Sequence, residues 1–258
     1  MVSYKTPAEI EKMRQAGLIL YEAMKAVKAA IRPGVSTWEL DKIAEKVIVS
    51  HGAIPSEKGF EGYPGSICAS IDDTVVHGIP SPSVILKEGQ IISIDITALK
   101  DGYQADMART FPVGKVSPAA EKLMKAAKEA FIEGLKVART GYRIGDISNA
   151  VQTCVEGYGY GVVRSLCGHG IGKDMHEDPE VPNFGKAGHG LRIREGLCIA
   201  VEPMITAGDW HVYVASDDWA FITRDHSLSA HYENTLAING NGEPEILTMP
   251  DGIFGEDL

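Results

Sequence analysis

The sequence predicts an α+β fold made of two similar halves, whose strands join into one curved antiparallel sheet covered by helices on one side. Three observations predict it. Each half opens with two amphipathic helices bounded by capping and stop signals, each then supplies strands, and a constant offset of 107 positions relates the halves. That offset maps Arg32 to Arg139, Gly34 to Gly141, Leu40 to Ile147 and Gly52 to Gly159. It also maps Glu88-Gly89 to Glu195-Gly196, Ile92 to Ile199, Ile94 to Val201 and Asp95 to Glu202. Two amphipathic helices resemble each other readily by chance. One offset that also aligns a strand and its carboxylate reads as an old internal duplication. The expected organisation is a single domain over residues 1–258, with pseudo-repeats over about 6–112 and 117–247. Two copies are too few for a solenoid, which needs about three or more.

The elements follow in order. Thr6-Pro7-Ala8-Glu9 is a capping box with proline at the first helical position. Ile10, Met13, Gly17, Leu20, Met24 and Val27 then recur at helical spacing until Pro33-Gly34. Ser36-Thr37-Trp38-Glu39 starts a second helix with a stripe of Leu40, Ile43, Ala44 and Val47, stopped by Gly52. Ile91 to Thr97 and Tyr103 to Phe111 read as paired strands, with a turn in Lys100-Asp101-Gly102. In the second half Ser117-Pro118 starts a helix carrying Leu123, Met124, Ala127, Phe131 and Leu135, stopped by Gly141. Asp146 to Val155 supplies the next helix, and Thr235 to Ile238 a late strand. The acidic tail from Asp251 to Leu258 is expected to fray.

Composition narrows the function. The 258 residues are 44% hydrophobic and 23% charged, ordinary for a soluble enzyme. No apolar run approaches the ~18 residues of a membrane span, and the N-terminus carries no signal core. A net charge of −10 argues against nonspecific nucleic-acid binding. Cys68, Cys154, Cys167 and Cys198 form no CxxC pair, which suits reduced thiols in the cytoplasm.

The chemistry lies on the strand pairs. If Lys100 and Asp101 form the loop, Asp95 lies directly opposite Asp106; if Asp101 and Gly102 do, the two are diagonal neighbours on one face. Either register puts the carboxylates within about 5–8 Å. Like charges that close repel, and a bound cation removes the conflict. A bulge or a longer loop would instead turn Asp106 to water. Further candidates are His169 between glycines in Gly168-His169-Gly170, Glu202 interrupting the apolar run Ala200-Val201, and Glu233 heading the strand Thr235 to Ile238. Two Asp, two Glu and one His make a hard, oxygen-rich set suited to two adjacent divalent ions rather than to a thiolate zinc site.

The motifs Ser93-Ile94-Asp95, Gln104-Ala105-Asp106, Gly168-His169-Gly170-Ile171-Gly172, Val201-Glu202-Pro203, Tyr232-Glu233-Asn234-Thr235 and Val76-His77-Gly78-Ile79-Pro80 resemble, in order and spacing, those of type I methionine aminopeptidases. The resemblance runs from about Thr6 to about Leu247. It implies the pita-bread fold of the M24 metallopeptidases and one catalytic domain. It implies that Asp106 and Glu233 bridge two divalent ions (Co, Mn, Fe or Zn), that Asp95 holds one, and that His169 and Glu202 complete the other. Glu202 would also take the nucleophile's proton. His176 would meet the substrate carbonyl and His77 the scissile nitrogen or the residue beyond it. Phe60, Tyr63, Cys68 and Trp219 would line an apolar pocket for the methionine side chain. The implied partners are N-termini of nascent polypeptides, with the ribosome as a docking surface to consider, no membrane and no specific nucleic acid; a monomer is expected. His51, His189, His211, His226 and His231 read as ordinary surface or loop residues. Two alternatives stay open: a peptidase of the same fold acting on X-Pro bonds, and a pita-bread binding protein without activity. Relatives of the first kind usually carry an extra N-terminal domain, for which no room is expected here.

Overall fold

Local capping chemistry starts the helices where the sequence places them. The computed structural model describes residues 1–250; the expectation for the tail falls outside the described residues. In α1 (Pro7–Ala30) the Thr6 hydroxyl accepts from the Glu9 N–H, and the Glu9 carboxylate accepts from the Thr6 N–H at 2.8 Å. Ser36 and Glu39 repeat this at the start of α2 (Thr37–Ser50), at 3.2 and 2.8 Å. Such caps contribute about 0.5–2 kcal/mol each. The Ser117 hydroxyl accepts from the Ala120 N–H at 3.2 Å to open α3 (Pro118–Val137). The fourth helix, α4 (Ile144–Gly157), begins two residues before the expected Asp146. Asp146 is not its cap; its carboxylate reaches back from the first turn to the Arg143 N–H at 2.8 Å. None of these helices is long and apolar enough to cross a membrane.

The first half contributes strands β1 (Ile54–Pro55), β2 (Cys68–Ile71), β3 (Thr74–Val76), β4 (Ile91–Lys100) and β5 (Tyr103–Pro112). The second contributes β6 (Gly161–Val162), β7 (Cys167–Gly170), β8 (Glu177–Pro182), β9 (Cys198–Val201), β10 (Met204–Thr206), β11 (Val212–Val214), β12 (Phe221–Thr223), β13 (Ser229–His231), β14 (Asn234–Ile238) and β15 (Pro244–Ile246). All pairings are antiparallel, and the curved sheet is built as four ladders. In the first half β1, β2 and β5 pair with β4, and in the second the order is β15-β14-β9-β7-β8. Smaller ladders, β13-β10-β6 and β11-β12-β3, flank these.

The turn decides the register. Lys100 pairs with Tyr103, so Asp101 and Gly102 form the two-residue loop, both at positive φ (+49° and +80°). This is the geometry two-residue hairpins favour. Asp95 therefore faces Ala108, and Asp106 faces Thr97: the two carboxylates are diagonal neighbours. Strand alternation then sorts the faces. Ile92, Ile94, Ile96, Ala105 and Met107 pack with Leu20, Met24, Leu40 and Ile48 of α1 and α2. Ile199, Val201, Leu236 and Ile238 pack with Leu123, Phe131, Ile147 and Val151 of α3 and α4. Asp95, Asp106, Glu202 and Glu233 are left on the face away from all four helices.

The offset between halves recurs in the hydrogen bonding. Leu86 N–H donates to the Val35 carbonyl at 2.8 Å, and 107 positions on Ile193 N–H donates to that of Tyr142 at 3.0 Å. Gly52 to Val49 and Gly159 to Glu156 form another such pair, at 2.9 and 3.0 Å.

The halves meet at β5 and the β13–β14 segment, where threonine hydroxyls stand in for ladder groups. Thr235 Oγ1 accepts from the Asp106 N–H at 2.8 Å and donates to the Asp106 carbonyl at 3.0 Å. Thr110 Oγ1 does the same for His231, at 2.8 and 2.9 Å. Between them the Glu233 N–H donates to the Ala108 carbonyl at 2.9 Å. Thr235→Val keeps the volume but strands a buried N–H. The expected cost is about 1–3 kcal/mol, read as a lower urea midpoint at unchanged slope. An unaltered midpoint would show that the seam hydroxyl contributes nothing.

Candidate active site

The four sheet carboxylates open onto a cavity of about 550 Å³. Asp95, Asp106, His169, Glu202 and Glu233 all line it. One ligand atom each from Asp106, His169 and Glu233 lies within 4.8 Å of the other two, the geometry of a metal-binding cluster. Glu202 Oε1 is 3.6 Å and Asp106 Oδ2 is 3.7 Å from His169 Nε2. His169 sits on β7, and its Nδ1 lies 2.9 Å from the Gly170 carbonyl. That contact puts the proton on Nδ1 and leaves Nε2 free as a ligand.

These residues fit divalent ions. Asp95 Oδ1, Asp106 Oδ1 and Glu233 Oε1 are buried without a hydrogen-bond partner among the described residues. Buried carboxylate oxygens are rarely left so unless an ion completes them. No lysine or arginine lines the cavity to balance these carboxylates. Burial, followed by the charges of Asp106 and Glu57, pushes the Asp95 carboxyl well above its ordinary range. Burial, Asp106 and Glu202 do the same to Glu233. Burial disfavours a charged His169, but Asp106 and Glu202 beside it raise the imidazole to about 9.

The other predicted residues gather around the same cavity. His176 is exposed to it, with its ring 4.4 Å from that of His169 and 5.4 Å from that of Phe60. His77 follows β3 in the left-handed region (φ +60°), unusual for a non-glycine residue. Its ring lies edge-on to Phe221 at 5.8 Å. Burial lowers the pKa of both histidines, His169 adding to the effect at His176 and His231 at His77. Phe60, Tyr63, Cys68 and Trp219 line one wall, and Trp219 lies edge-on to Tyr63 at 5.1 Å. Cys68 pairs across the ladder with Asp95, which fixes it beside the carboxylates. Burial, Glu57 and Asp95 hold its thiol protonated, so it is a pocket surface and not a nucleophile.

Two features depart from expectation. His231 is not a surface residue: it is 1% exposed, with Nε2 3.6 Å from Glu202 and 3.8 Å from Glu233. Strand alternation two positions from Glu233 was the available signal. His51, His189 and His226 are exposed and His211 is half-exposed, as expected. The side-chain pocket is also not uniformly apolar. Glu57, between β1 and the 3-10 turn Phe60–Gly62, lines it, and burial followed by Asp106 pushes its carboxyl up to about 8. No motif marks Glu57; only the path of the chain brings it here.

Carboxylates and a histidine gathered at the floor of a cleft, with oxygens left for cations, define a metal-dependent hydrolase. The chain belongs to metallopeptidase family M24, whose profile matches residues 11–240. It is 52% identical over 249 residues to the methionine aminopeptidase of Clostridium acetobutylicum, covering 96% of this chain and 99% of that one. The crystal structure of the methionine aminopeptidase of Thermotoga maritima superposes with a TM-score of 0.95 at 38% identity, covering 97% of this chain and 100% of that one. The prolidase of Pyrococcus furiosus shares the fold, with a TM-score of 0.75 at 21% identity, over 96% of this chain and 66% of that one.

The raised groups predict a pH dependence. Asp95, Glu233 and Glu57 keep protons in the metal-free fold that the unfolded chain releases above about pH 4.5. His169 keeps one up to about pH 9 that the unfolded chain releases near 6.5. Their stabilisation is full below the unfolded values and is lost as pH rises. His77 and His176 shift the other way, and above pH 6.5 they are neutral in both states. Between about pH 6.5 and 8.5 the chelator-treated protein should therefore lose thermal stability. Saturating Mn²⁺ should flatten or reverse the trend, because the ions replace those protons. Identical profiles with and without metal, by thermal scanning, would remove the cluster from metal binding.

Proposed function

We propose that the chain is a methionine aminopeptidase, acting as a single catalytic domain on the N-termini of nascent polypeptides. It removes the initiator methionine when the second residue is small. The observation that carries this reading is the set of unpartnered carboxylates beside an aromatic- and sulfur-lined pocket. The identity to relatives bearing that activity's name supports it. The four cysteines are free, which suits a reducing cytosol.

Asp95, Asp106, His169, Glu202 and Glu233 would hold two divalent ions. Bound there, the ions supply Lewis acidity toward water and the scissile carbonyl. The remaining steps belong to side chains. Glu202 accepts the proton of the attacking water and passes it toward the departing amine. His176, neutral at physiological pH because its pKa is lowered, donates a hydrogen bond to the carbonyl oxygen as negative charge develops. His77 meets the scissile nitrogen and crowds the second residue. The acidic cavity attracts the cationic α-amine, which approaches Asp95.

A panel of peptides tests the specificity. Met-Ala-Ser should be cleaved well, Met-Lys-Ser poorly and formyl-Met-Ala-Ser not at all, since the formyl group removes the amine. Leu-Ala-Ser should lag only modestly, because a change of this size in an apolar contact is worth about 1–3 kcal/mol. Preference for Ala-Pro-Ser would assign the chain to X-Pro peptidases instead, and equal kcat/KM for Met-Ala-Ser and Met-Lys-Ser would sink the steric argument.

His176→Ala should lower kcat by about 10²–10³ with KM and bound metal little changed, the pattern of an interaction made chiefly in the transition state. Loss of metal from that variant, measured by atomic absorption, would show that His176 has been misassigned.

A further inference from the structure

The methionine pocket contains an acid with no counterpart in an apolar site, and its chain geometry explains how it gets there. Pro55 pairs with Ala98 on β4, and the Ser56 N–H donates to the Thr97 carbonyl, so the segment is laid along the strand that faces Asp106. The chain then turns, the Phe60 N–H donating to the Glu57 carbonyl at 3.0 Å. Lys58 points outward and pairs with Glu45 at 2.5 Å, while Glu57 points inward and lines the cavity with Phe60, Tyr63, Cys68 and Trp219. Glu57 and Cys68 share that lining, and the carboxyl bears on the Cys68 thiol as well as on Asp106 and His169.

The wall offers the carboxyl little. Its hydrogen-bond neighbour is the Thr97 hydroxyl, with His169 the cationic group within electrostatic reach, and none of the ion pairs among the described residues joins it to a lysine or arginine. The Tyr63 hydroxyl is committed to the Ile67 and Gly78 carbonyls, at 3.2 and 2.9 Å. Water can serve Glu57 while the cavity is open. A side chain entering the pocket displaces that water, and a thioether cannot replace its hydrogen bond. A side chain of similar length ending in N–H can.

We propose that Glu57 is a specificity-determining residue, which makes the pocket accept N-terminal residues with an unbranched side chain ending in an N–H donor, glutamine and lysine, alongside methionine. The inference rests on the aminopeptidase reading of the site and extends its substrate class. Glu57 hydrogen-bonds or ion-pairs with the substrate's terminal nitrogen, and an apolar residue in its place leaves that nitrogen buried without a partner, the more costly outcome.

The test compares kcat/KM for Met-Ala-Ser, norleucyl-Ala-Ser, Gln-Ala-Ser and Lys-Ala-Ser in the metal-loaded wild type, Glu57→Leu and Glu57→Gln. Glu57→Leu should lower the Gln/Met and Lys/Met ratios by at least about tenfold, mainly through KM, and raise the norleucine rate. Glu57→Gln, nearly isosteric, should keep glutamine and lose lysine. Unchanged ratios in Glu57→Leu, or no measurable wild-type cleavage of Gln-Ala-Ser and Lys-Ala-Ser, overturn the inference while leaving methionine removal intact. Loss of bound metal from Glu57→Gln also overturns it, since Glu57 would then belong to the ion cluster. A wild type that fails to cleave Met-Ala-Ser overturns the aminopeptidase reading itself.

Discussion

Mutual repulsion among buried carboxylates is the constraint on which the rest of this structure turns. Asp95, Asp106, Glu202 and Glu233 share one cavity, and three of them have an oxygen that nothing in the described protein satisfies. A chain that only had to fold would not keep them: burying an unpaired charge costs more than one cap or one packed methyl group returns. Protons or cations must complete the cluster. Raised carboxyl groups and a raised His169 are the signature of the first condition, and the donor set is that of the second.

Holding such a cluster together requires a stiff frame, and the frame is the seam between the halves. Asp106 is gripped through its own backbone by Thr235, and Glu233 through its N–H by Ala108. From behind, the Arg109 guanidinium donates to the Glu233 carbonyl and, at 2.7 Å, to Asn234 Oδ1, with its plane 3.9 Å from the Tyr232 ring. The cation thus supports the backbone of Glu233 without neutralising its carboxylate, which stays available on the other face. Helices on one side and carboxylates on the other follow from the same strand alternation. The apolar residues between the acids bury themselves against α1 to α4, and that burial supplies the stability the cluster consumes.

Much of this was legible in the sequence because the signals are local. Thr6 and Ser36 act within four residues of themselves, so their helices start where expected. Asp101-Gly102 could be weighed as the hairpin loop, and with that loop the register and the shared face of Asp95 and Asp106 follow. What was illegible is non-local. For His231 the local signal is only its two-residue spacing from Glu233, and its burial follows when β13 is laid beside β10. Glu57 reads as one more charge beside Lys58, and only the pairing of β1 with β4 turns one inward and the other out. The expected start of α4 falls two residues late for a local reason: Arg143, at its cap, is not a residue type that marks a helix start, and the first acid of the segment, Asp146, lies in the third helical position.

The two walls proposed to select substrate are mechanically one piece. Tyr63, on the side-chain pocket, donates to the Gly78 carbonyl at 2.9 Å. That carbonyl also accepts from the Ala69 N–H at 2.8 Å, next to Cys68, and the Gly78 N–H donates to Ser70 Oγ at 3.1 Å. Gly78 has no room for a side chain, since a Cβ there would come within 2.4 Å of the Ala69 carbonyl. The close approach pins the residue before it, His77, in a left-handed conformation that few side chains tolerate. A ring that bounds the first residue of a substrate and an imidazole that would bound the second are therefore fixed by the same carbonyl. Moving either displaces the other, and both are tied to β2, whose Cys68 pairs with Asp95. The residues proposed to select the first residue, to select the second and to hold the ions thus belong to one hydrogen-bonded unit, the kind of preorganisation that would hold a scissile bond within the small tolerance such chemistry allows.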